Sequence, residues 1–242
     1  MPDRAALITG GSSGIGLAIA RLLGGELGYG LTVNGRRPDK LDAAVDGLAG
    51  EGIDVQAAAG NMADEDDIKA VVAAHREKYG RMDVLINNAG VGIGAAIEQA
   101  ETKKLDMQIG VNLRGVYLVL RESIPMLKEA GHEHKKALVV NTASIAGKYG
   151  QGWLSMYSAT KFAVVGLSQA AHKELAGDGV QVTAFCPAFV DTPMTDWTKD
   201  QVPSEEMIQP ADIAEAVRFL LTTSPACMVP EIQFIRPVDD TP

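Results

Sequence analysis

Short apolar segments alternate with longer helical patterns from one end of this 242-residue chain to the other. Six segments predict strands, with a weaker seventh near the end, at Ala5–Thr9, Leu31–Asn34, Val55–Ala58, Val84–Asn87, Ala137–Asn141, Gln181–Phe185 and Ile232–Ile235. Helices are predicted between them, at 15–27, 38–50, 64–79, 102–128, 156–176 and 210–222. Strands that are almost wholly apolar are typical of a parallel sheet covered on both faces. The expected fold is α/β, a doubly wound parallel sheet forming a single domain over residues 1–242.

The segment Thr192–Gln209 differs from the rest of the chain in composition. It is polar, is interrupted by Pro193 and Pro203, and carries Trp197 and two methionines. A segment of this kind beside a strand end is either a lid over a substrate or an excursion on the surface, and the sequence leaves both interpretations open.

Composition narrows the classes of function. A formal net charge of −9 argues against broad affinity for nucleic acid or for an anionic membrane. The start of the chain lacks the features of a signal peptide, and no apolar run reaches the length of a membrane span. The two cysteines, Cys186 and Cys227, do not form a disulfide pattern or a metal-ligand pattern. We therefore expect a reduced, cytoplasmic protein without a metal site.

A glycine-rich turn follows the first strand and opens the first helix. Its spacing, G-x-x-x-G-x-G, is a variant of the dinucleotide-binding fingerprint. The helix N-terminus behind it presents unpaired N–H groups to an anion. Gly10 is expected to make the tight turn, Gly14 to let the backbone approach a phosphate, and Gly16 to pack helix against strand. The candidate cofactor-binding residues here are Gly10, Ser12, Ser13, Gly14, Ile15 and Gly16.

The second strand ends in Asn34-Gly35-Arg36-Arg37. NAD-binding sheets commonly carry an acid here, and that acid would repel a 2′-phosphate. An arginine can instead bind the 2′-phosphate with two of its guanidinium nitrogens. The favoured cofactor is therefore NADP(H), with NAD(H) the less favoured choice. The alternative is that Arg36 and Arg37 are ordinary solvated residues paired with Asp39 or Asp42.

Proton chemistry is indicated by Tyr157 and Lys161, which lie one turn apart on a predicted helix. A free tyrosine has a pKa of about 10, and a neighbouring ammonium group lowers that pKa by stabilising the phenolate. Ser144, thirteen residues upstream, offers a hydroxyl that could hold a carbonyl oxygen beside the phenol. The structural alternative is a half-buried tyrosine followed by a solvated lysine, and these residues alone do not exclude it.

Taken together, the chain resembles the short-chain dehydrogenase/reductase family over essentially its whole length. The motifs that carry the resemblance occur in the family's order: the turn at Thr9–Gly16, Asn87-Asn88-Ala89-Gly90, Asn112, Ser144, and Tyr157 with Lys161. The resemblance implies a Rossmann-type sheet and an oxidoreductase. It further implies that Asn88, Ala89 and Gly90 line the adenosine-ribose side of the cofactor, and that Asn112 helps to hold a water that relays protons to Lys161.

The resemblance also implies that the loop after the sixth strand holds the nicotinamide carboxamide, through Pro187, Val190 and Thr192. Three departures accompany it. Ala188 stands where the family usually has glycine, and the family's glycine-rich C-terminus is replaced by another sequence. Asn61, followed by Met62, stands where the family usually has aspartate, but an amide still accepts from and donates to adenine. Asn61 and Met62 are therefore kept as cofactor-binding candidates.

These residues predict hydride transfer between NADP(H) and a carbonyl or secondary alcohol. Tyr157 would be the general acid or base, Lys161 would lower the pKa of Tyr157 and bind the cofactor ribose, and Ser144 would orient the carbonyl, with Asn112 in support. The substrate stays open among thioesters, keto acids, sugars, steroids and other ketones. Two alternatives remain, a sensor that binds NADP(H) without turnover and an epimerase or dehydratase that uses the same Tyr–Lys pair.

Several other residues carry weaker expectations. His132 and His134 are expected in a polar connection beyond a helix and not at a metal, and Cys186 is expected to be a buried structural thiol. Trp153 and Met156 are expected to shape the substrate pocket, whose variable walls are placed at 92–98, 145–153 and 188–208.

Assembly is indicated by small residues that recur along the helix at 156–176, namely Ala159, Ala163, Gly166 and Ala170. This stripe allows a close helix approach, either within one subunit or across a two-fold axis. The resemblance implies that this helix and the preceding long one pair between subunits, so a homodimer or homotetramer is expected.

Overall fold

The protein is described by a computed structural model that covers residues 2–239, and its seven strands form one parallel sheet in the order β3-β2-β1-β4-β5-β6-β7. The strands are β1 Ala5–Thr9, β2 Gly30–Gly35, β3 Val55–Ala59, β4 Val84–Asn87, β5 Ala137–Thr142, β6 Val180–Pro187 and β7 Glu231–Phe234. Each lies within a few residues of its predicted position, and the less certain seventh strand is present. The predicted Rossmann-type fold is confirmed.

Over the same residues 2–239, seven α-helices connect and cover the strands. They are α1 Gly14–Arg21, α2 Pro38–Gly50, α3 Glu65–Tyr79, α4 Thr102–Ile109, α5 Val116–His134, α6 Ser155–Leu175 and α7 Pro210–Thr222. A π-helical turn at Leu22–Glu26 continues α1, which accounts for the longer helix predicted there. Within residues 2–239, no helix combines the length and the apolar character needed to cross a membrane.

Helix boundaries follow local signals in the sequence, as α3 illustrates. Asp64 precedes the helix in an extended conformation, and its carboxylate accepts hydrogen bonds from the N–H groups of Asp66 and Asp67. These are two of the four N–H groups that a helix start leaves unpaired. Gly80 ends the helix with a φ of 67°, a conformation that glycine adopts without the strain a Cβ would introduce. The predicted span of 64–79 is thereby explained.

The helix predicted at 102–128 differs from the structure in two ways. It contains a π-helical segment, Gly110–Gly115, between α4 and α5, and it continues to His134, where Lys135 ends it with a φ of 61°. His132 and His134 therefore lie in the last turn of α5, and the prediction of a polar connection beyond the helix is wrong. Apolar residues such as Met126, Leu127 and Ala130 keep the helix packed through these turns.

The core is divided by the sheet into two layers. Successive residues of a strand point to opposite faces, so Ala6 and Ile8 pack with α1, α2 and α7, whereas Leu7 packs with α3, α5 and α6. All three side chains are fully buried. Burying one large aliphatic side chain contributes about 1.5–3 kcal/mol, and the apolar composition of the central strands supplies such groups to both layers. This two-sided burial holds the strand ends in fixed positions.

The strand order reverses between β1 and β4, because β2 and β3 lie on one side of β1 and the later strands on the other. Loops that leave the carboxyl ends of β1 and β4 therefore diverge and open a crevice. The glycine-rich turn follows β1, and Asn88-Ala89-Gly90 follows β4, so both predicted cofactor segments meet at this point.

Candidate active site

A cleft of about 890 Å³ opens at the carboxyl edge of the sheet. It brings together most of the residues selected from the sequence, namely Gly10, Ser12, Ser13, Gly14, Ile15, Arg36, Arg37, Asn61, Met62, Asn88, Ala89, Gly90, Ser144, Tyr157, Lys161, Pro187, Val190 and Thr192. Two predicted residues, Gly16 and Asn112, do not line the cleft. Both are buried directly behind its wall.

The glycine-rich turn needs glycine for reasons of space and conformation. Gly10 has a φ of 63°, and a Cβ added to it would lie 2.8 Å from Cα of Ala89. Gly14 has a φ of 52°, and a Cβ there would lie 2.9 Å from Cγ2 of Thr192. Both conformations disfavour any residue with a Cβ. The turn thereby packs against the loop after β4 and the loop after β6 at once.

Gly16 packs α1 against the turn, because a Cβ there would lie 2.5 Å from the carbonyl oxygen of Gly10. Ser13 precedes α1 in an extended conformation, its hydroxyl makes no capping hydrogen bond, and no acidic residue lies in the first turn. Ser12, Ser13 and Ile15 face the cleft. A helix start with this composition suits an anionic group such as a pyrophosphate.

Asn88 and Thr9 join the two strands at the reversal point. The Thr9 hydroxyl accepts hydrogen bonds from the N–H groups of Asn88 and Ala89, at 3.0 and 3.1 Å. The Asn88 amide donates to the carbonyl of Gly10 at 3.1 Å. The Asn88 side chain therefore also has a structural task, which is to hold the glycine-rich turn beside β4.

The end of the cleft that is predicted to hold adenosine is lined by Arg36 and Arg37 after β2 and by Asn61 and Met62 after β3. In the part of the chain that the structure describes, neither arginine forms an ion pair with Asp39 or Asp42, so the alternative of ordinary ion pairing is not supported.

At the same end, Asn61 Oδ1 accepts a hydrogen bond from the N–H of Ala63 at 3.2 Å. The two guanidinium groups are exposed and border the same cleft as the glycine-rich turn. This arrangement fits a nucleotide with an additional phosphate.

Tyr157 and Lys161 lie one turn apart on α6, and both line the cleft. Nζ of Lys161 lies 5.5 Å from the centre of the Tyr157 ring and donates to the carbonyl of Thr142 at 2.7 Å. Burial lowers the pKa of Lys161 to about 8. The Lys161 side chain is buried and its amine is held by this hydrogen bond, so the alternative of a solvated lysine is wrong.

The predicted direction of the Tyr157 pKa shift is wrong for this arrangement. Burial raises the pKa of Tyr157 above its usual value of 10, while the adjacent Ser144 hydroxyl opposes the increase. Removing the phenolate from water outweighs the hydrogen bond because an anion loses more solvation free energy than a neutral phenol. The phenol is consequently held protonated, which is the form a general acid needs.

Ser144 follows β5 and reaches the same end of the cleft. Its hydroxyl accepts from the N–H of Ala146 at 3.1 Å and donates to the carbonyl of Pro187 at 3.4 Å. The structure thus places a hydroxyl beside the phenol of Tyr157, as the sequence predicted.

Asn112 is fully buried in the π-helical segment Gly110–Gly115. Its Oδ1 accepts from the N–H of Val91, and its Nδ2 donates to the carbonyl of Val91, both at 2.8 Å. Nδ2 also donates to Oγ1 of Thr160 at 3.2 Å, and that hydroxyl donates to the carbonyl of Tyr157 at 2.8 Å. Asn112 therefore positions the loop after β4 against α6. π-helical segments recur at functional sites, and this one bends the helix where Asn112 is needed.

The loop after β6 returns to the sheet after a long excursion. Val190 is buried and bridges Ile208, and the N–H of Asp191 donates to the carbonyl of Ile208 at 2.9 Å. The excursion between them includes the predicted lid, residues 192–209, with short 3₁₀ helices at Asp196–Thr198 and Ser204–Glu206. The bridge and the hydrogen bond to Ile208 hold the two ends of this excursion together. Within it, Thr192, Met194 and Trp197 line the cleft. Its motion over a substrate stays a prediction.

Ala188 does not disturb the backbone, although glycine is usual at this position in the family. Its N–H donates to the carbonyl of Phe234 at 2.8 Å, which continues the pairing of β6 with β7. Among residues 2–239, the residues other than glycine with a positive φ are Lys135 and Trp153. Position 188 therefore does not require glycine in this chain.

Two positioning residues, Thr142 and Thr160, were not predicted from the sequence. The carbonyl of Thr142 accepts from Lys161, and Thr160 connects Asn112 to Tyr157. Thr142 lies at the carboxyl end of β5, and Thr160 lies in the same helical turn as the catalytic candidates. The signal in the sequence is weak for both residues. A polar group at the end of β5 or in this turn of α6 finds few hydrogen-bonding partners outside the site.

The expected walls of the substrate pocket are only partly correct. Trp153, Phe189, Met194 and Trp197 line the cleft, whereas Met156 does not. In the segment 92–98, the cleft is lined by Gly92 and Gly94, and the isoleucines at 93 and 97 lie outside the lining. Side-chain direction in these irregular loops has no period from which the sequence could predict it.

Cys186 and the two histidines have structural environments. Cys186 is fully buried, and burial raises its pKa to about 12, so the predicted inert thiol is confirmed. His132 contacts Asp178 at 3.1 Å, whereas His134 contacts Arg81 at 2.5 Å, so the two side chains have separate partners. Among the described residues, no three His, Cys, Asp or Glu side chains form a group suited to a metal ion.

Comparison with known proteins agrees with this geometry. The model of the family described as short chain dehydrogenase matches residues 4–203. The 3-oxoacyl-acyl-carrier-protein reductase FabG of Staphylococcus aureus strain Mu50 is 34% identical over 227 residues, which is 90% of this chain and 90% of the relative.

Solved structures show the same architecture. A variant of actinorhodin polyketide ketoreductase with NADPH superposes with a TM-score of 0.86 at 33% identity and covers 95% of both chains. The 3-ketoacyl-(acyl-carrier-protein) reductase of Brucella melitensis complexed with NADH has a TM-score of 0.86 at 31% identity and covers 96% of both chains. The two similar structures thus hold different nicotinamide cofactors.

Proposed function

We propose that this chain, which belongs to the short-chain dehydrogenase family, is a carbonyl reductase that uses NADP(H). Members of the family are oxidoreductases with a nicotinamide cofactor, so the finer points of the proposal are the cofactor and the type of substrate. The observation that carries it is the convergence of Ser144, Tyr157 and Lys161 on one cleft whose other end is a phosphate-binding turn.

Tyr157 is the general acid of the proposed reaction. Burial keeps its phenol protonated, and the bonded chain from Asn112 through Thr160 fixes the turn of α6 that carries it. The nicotinamide, when bound, supplies a hydride to the carbonyl carbon. Tyr157 gives its proton to the carbonyl oxygen, so a ketone becomes a secondary alcohol. In the oxidative direction the same oxygen takes the proton back.

Lys161 stabilises the charge that develops on Tyr157 when the proton leaves. With a pKa of about 8, its amine is mainly an ammonium group at neutral pH. The distance of 5.5 Å to the ring centre is close enough for electrostatic stabilisation in a site shielded from water. Ser144 adds a hydroxyl that can donate to the substrate oxygen, where negative charge accumulates during hydride transfer.

The choice of NADP(H) rests on Arg36 and Arg37. Both are exposed at the cleft and follow a strand that ends in Asn34 and Gly35, with no acid to accept from a ribose 2′-hydroxyl. A 2′-phosphate would give these guanidinium groups a charged partner. Similar structures include one with NADPH and one with NADH, so cofactor choice depends on the residues of this chain.

We also propose that the protein assembles through α5 and α6. Ala159, Gly166 and Ala170 are exposed, and a Cβ on Gly166 would meet nothing within 4 Å. The small-residue stripe therefore does not pack within the subunit. The nearby large side chains Tyr117 and Phe162 are about half exposed. Sedimentation is expected to give a dimer or tetramer, and a single species at the mass of one chain would contradict this.

The test of the proposed function is NADPH consumption over a panel of ketones, keto acids and 3-oxoacyl esters. We expect oxidation of NADPH with at least one class and a lower kcat/KM with NADH. Stabilisation of the fold by NADPH with no consumption across the whole panel would contradict the proposal and would favour a sensor.

A further inference from the structure

The mouth of the cleft exposes three large apolar side chains. Trp153 is 54% exposed, Trp197 59% and Met194 45%, and all three line the cleft. An isolated exposed apolar residue has no special meaning, but a contiguous patch rimmed by polar residues marks a surface that a ligand covers. Here the patch lies in the same cleft as the catalytic residues.

The two indole rings face each other from different loops. Their centres are 5.5 Å apart, and their planes are inclined by 55°. Trp153 lies in the loop between β5 and α6, whereas Trp197 lies in the 3₁₀ helix Asp196–Thr198 of the excursion after β6. The tilted rings are in contact and join these two loops at the mouth of the cleft.

The backbone holds Trp153 in a conformation that tryptophan rarely adopts. Its φ is 67°, its carbonyl accepts from the N–H of Ala95 at 2.8 Å, and a Cβ on Gly94 would overlap its six-membered ring. Positive φ in a bulky residue persists only where the surroundings impose it, and such residues cluster at ligand sites. The direction of this indole is therefore imposed by the loop at Gly94 and Ala95.

The apolar patch reaches the catalytic tyrosine. A Cβ placed on Gly92 would lie 3.8 Å from Cε2 of Tyr157 and 3.9 Å from Sδ of Met194. Gly92 thus lies between the phenol and the thioether, with no side chain to separate them. A substrate whose carbonyl contacts Tyr157 would extend its remaining body along Met194 towards the two indoles.

Charge at this end of the cleft disfavours an anionic substrate. Among residues 2–239, the charged residues that line the cleft are Arg36 and Arg37 at the proposed adenosine end, Lys161 on the catalytic wall, and Asp239, which pairs with Arg236 at 2.6 Å. The excursion 192–209 itself carries one lysine and four acids, namely Asp196, Asp200, Glu205 and Glu206. Lys199, the one lysine of this excursion, pairs with Asp191 and Asp196, so the described residues 192–209 offer no unpaired cation to a carboxylate or phosphate substrate.

From these observations we infer that Trp153, Trp197 and Met194 form an apolar clamp that holds the body of an uncharged ketone bearing a flat apolar group, such as an aryl ring. The inference rests on the proposed function for the reaction at the carbonyl, but the clamp itself is a binding site. The three residues determine specificity and take no part in proton or hydride transfer.

The first test compares benzylacetone with butanone, two neutral ketones that differ by one aryl group. At saturating NADPH we expect wild-type kcat/KM to be about 100-fold higher for benzylacetone, since an aryl group buries a large apolar area. Trp153→Ala and Trp197→Ala should each lower that value about tenfold and change butanone less than about twofold. Phe219→Ala, an exposed aromatic of α7 outside the cleft, is the control. Equal values for the two ketones in the wild type would overturn the clamp.

A matched pair of glycine variants tests the position of the indole. Gly94→Ala should displace the Trp153 ring and reproduce the loss of benzylacetone preference, whereas Gly152→Ala, which meets nothing within 4 Å, should not. Identical kinetics in the two variants would contradict the role of Gly94. The para-carboxylate of benzylacetone tests the expected exclusion of anionic substrates. Its kcat/KM should be about tenfold lower than that of benzylacetone, and the gap should narrow with added salt.

A binding measurement separates the clamp from the reaction. The chain has two tryptophans, and both belong to the clamp, so intrinsic fluorescence reports directly on this site. The alcohol of benzylacetone should shift the emission to shorter wavelength in the wild type, in Trp153→Phe and in Trp197→Phe, whereas the alcohol of butanone should not. If no ketone is reduced but this shift occurs, the proposed function fails and the clamp stands. If ketones are reduced and no shift occurs, the clamp fails alone.

Discussion

The floor and the mouth of the cleft are built in opposite ways. At the floor, Gly10, Gly16 and Asn112 are in contact with backbone from several elements, and the Asn112 amide pairs with both backbone groups of Val91. At the mouth, Trp153 and Trp197 are each more than half exposed and come from separate loops. The floor is held by backbone contacts that leave no space for a new atom. The mouth is formed by side chains from loops, and their substitution would not move a strand.

From this difference we expect the floor to determine the reaction and the mouth to determine the substrate. A close-packed interior responds to small changes in volume, so substitutions at the floor should alter folding, cofactor binding and rate together. Substitutions at the mouth should alter the choice of substrate and leave the rest intact. The following predictions test that separation, beginning with the largest expected effect.

Tyr157→Phe removes only the phenolic oxygen from the floor. We expect kcat to fall by about 10²–10⁴-fold, the range for loss of a general acid, while the Kd for NADPH changes by a few-fold at most. Steady-state kinetics and calorimetric titration measure the two quantities. A rate close to wild type would remove Tyr157 from its proposed role.

Lys161→Met should reduce both the rate and the affinity for NADPH. It should also change how the free energy of unfolding depends on pH. The pKa of Lys161 is lowered from 10.5 to about 8, so the unfolded state binds more protons between those pH values. The free energy of unfolding contributed by this group therefore rises with pH across that window, by about 3 kcal/mol in total. Below about pH 8 the buried ammonium is destabilising by that amount.

The measurement is denaturant unfolding of wild type and Lys161→Met at several pH values from 7 to above 10. The wild type should gain stability relative to the variant as the pH rises from about 8 to 10.5, because only the wild type loses a proton from this site. A stability difference that does not change with pH would show that the amine is solvated.

Replacing Arg36 and Arg37 together by alanine tests the adenosine end of the floor. Hydrogen bonds to charged groups contribute about 1.5–3 kcal/mol, so the Kd for NADPH should rise by about 10–100-fold. The Kd for NADH, which lacks the 2′-phosphate, should stay within about threefold. Equal weakening of both cofactors would discard the assignment of these arginines.

The smallest predicted effects come from two glycines in helices. Gly16→Ala places a Cβ 2.5 Å from a backbone oxygen and should cost about 1–3 kcal/mol in the free energy of unfolding. Gly47→Ala in α2, where a Cβ meets nothing within 4 Å, should stabilise by about 0.5–1 kcal/mol. Opposite signs in chemical denaturation would confirm that only the first position is close-packed.

Much of the floor was predictable because its constraints are local in sequence. The strand ends, the Gly10–Gly16 turn, and the pair Tyr157 and Lys161 follow from apolar runs, glycine spacing and helical period. The strands end close to their predicted positions, and Gly10, Gly14, Tyr157 and Lys161 line the cleft, whereas Gly16 does not. The π-helical segment around Asn112 was not predicted, since one additional residue in a turn leaves the apolar pattern of the helix almost unchanged.

The sign of the Tyr157 pKa shift could not be predicted from sequence either. The spacing of Tyr157 and Lys161 indicates proximity, but the shift depends on how much water is removed from the phenol and on which group the amine binds. Both are properties of the surrounding loops. Met156 was wrongly assigned to the pocket, because its closeness to Trp153 in the sequence did not reveal the direction of its side chain.

By itself, the sequence determined the α/β order of elements, the glycine-rich turn that opens α1, and the spacing of Tyr157 and Lys161 one turn apart on α6. Each of these depends on residues close together in the chain, where backbone geometry limits the outcomes. Tertiary structure alone decided that Trp153 and Trp197, 44 positions apart in the numbering, meet at 5.5 Å and that Gly92 leaves Tyr157 open to them. Contacts between distant loops depend on the packing of the whole sheet, and no local pattern records them.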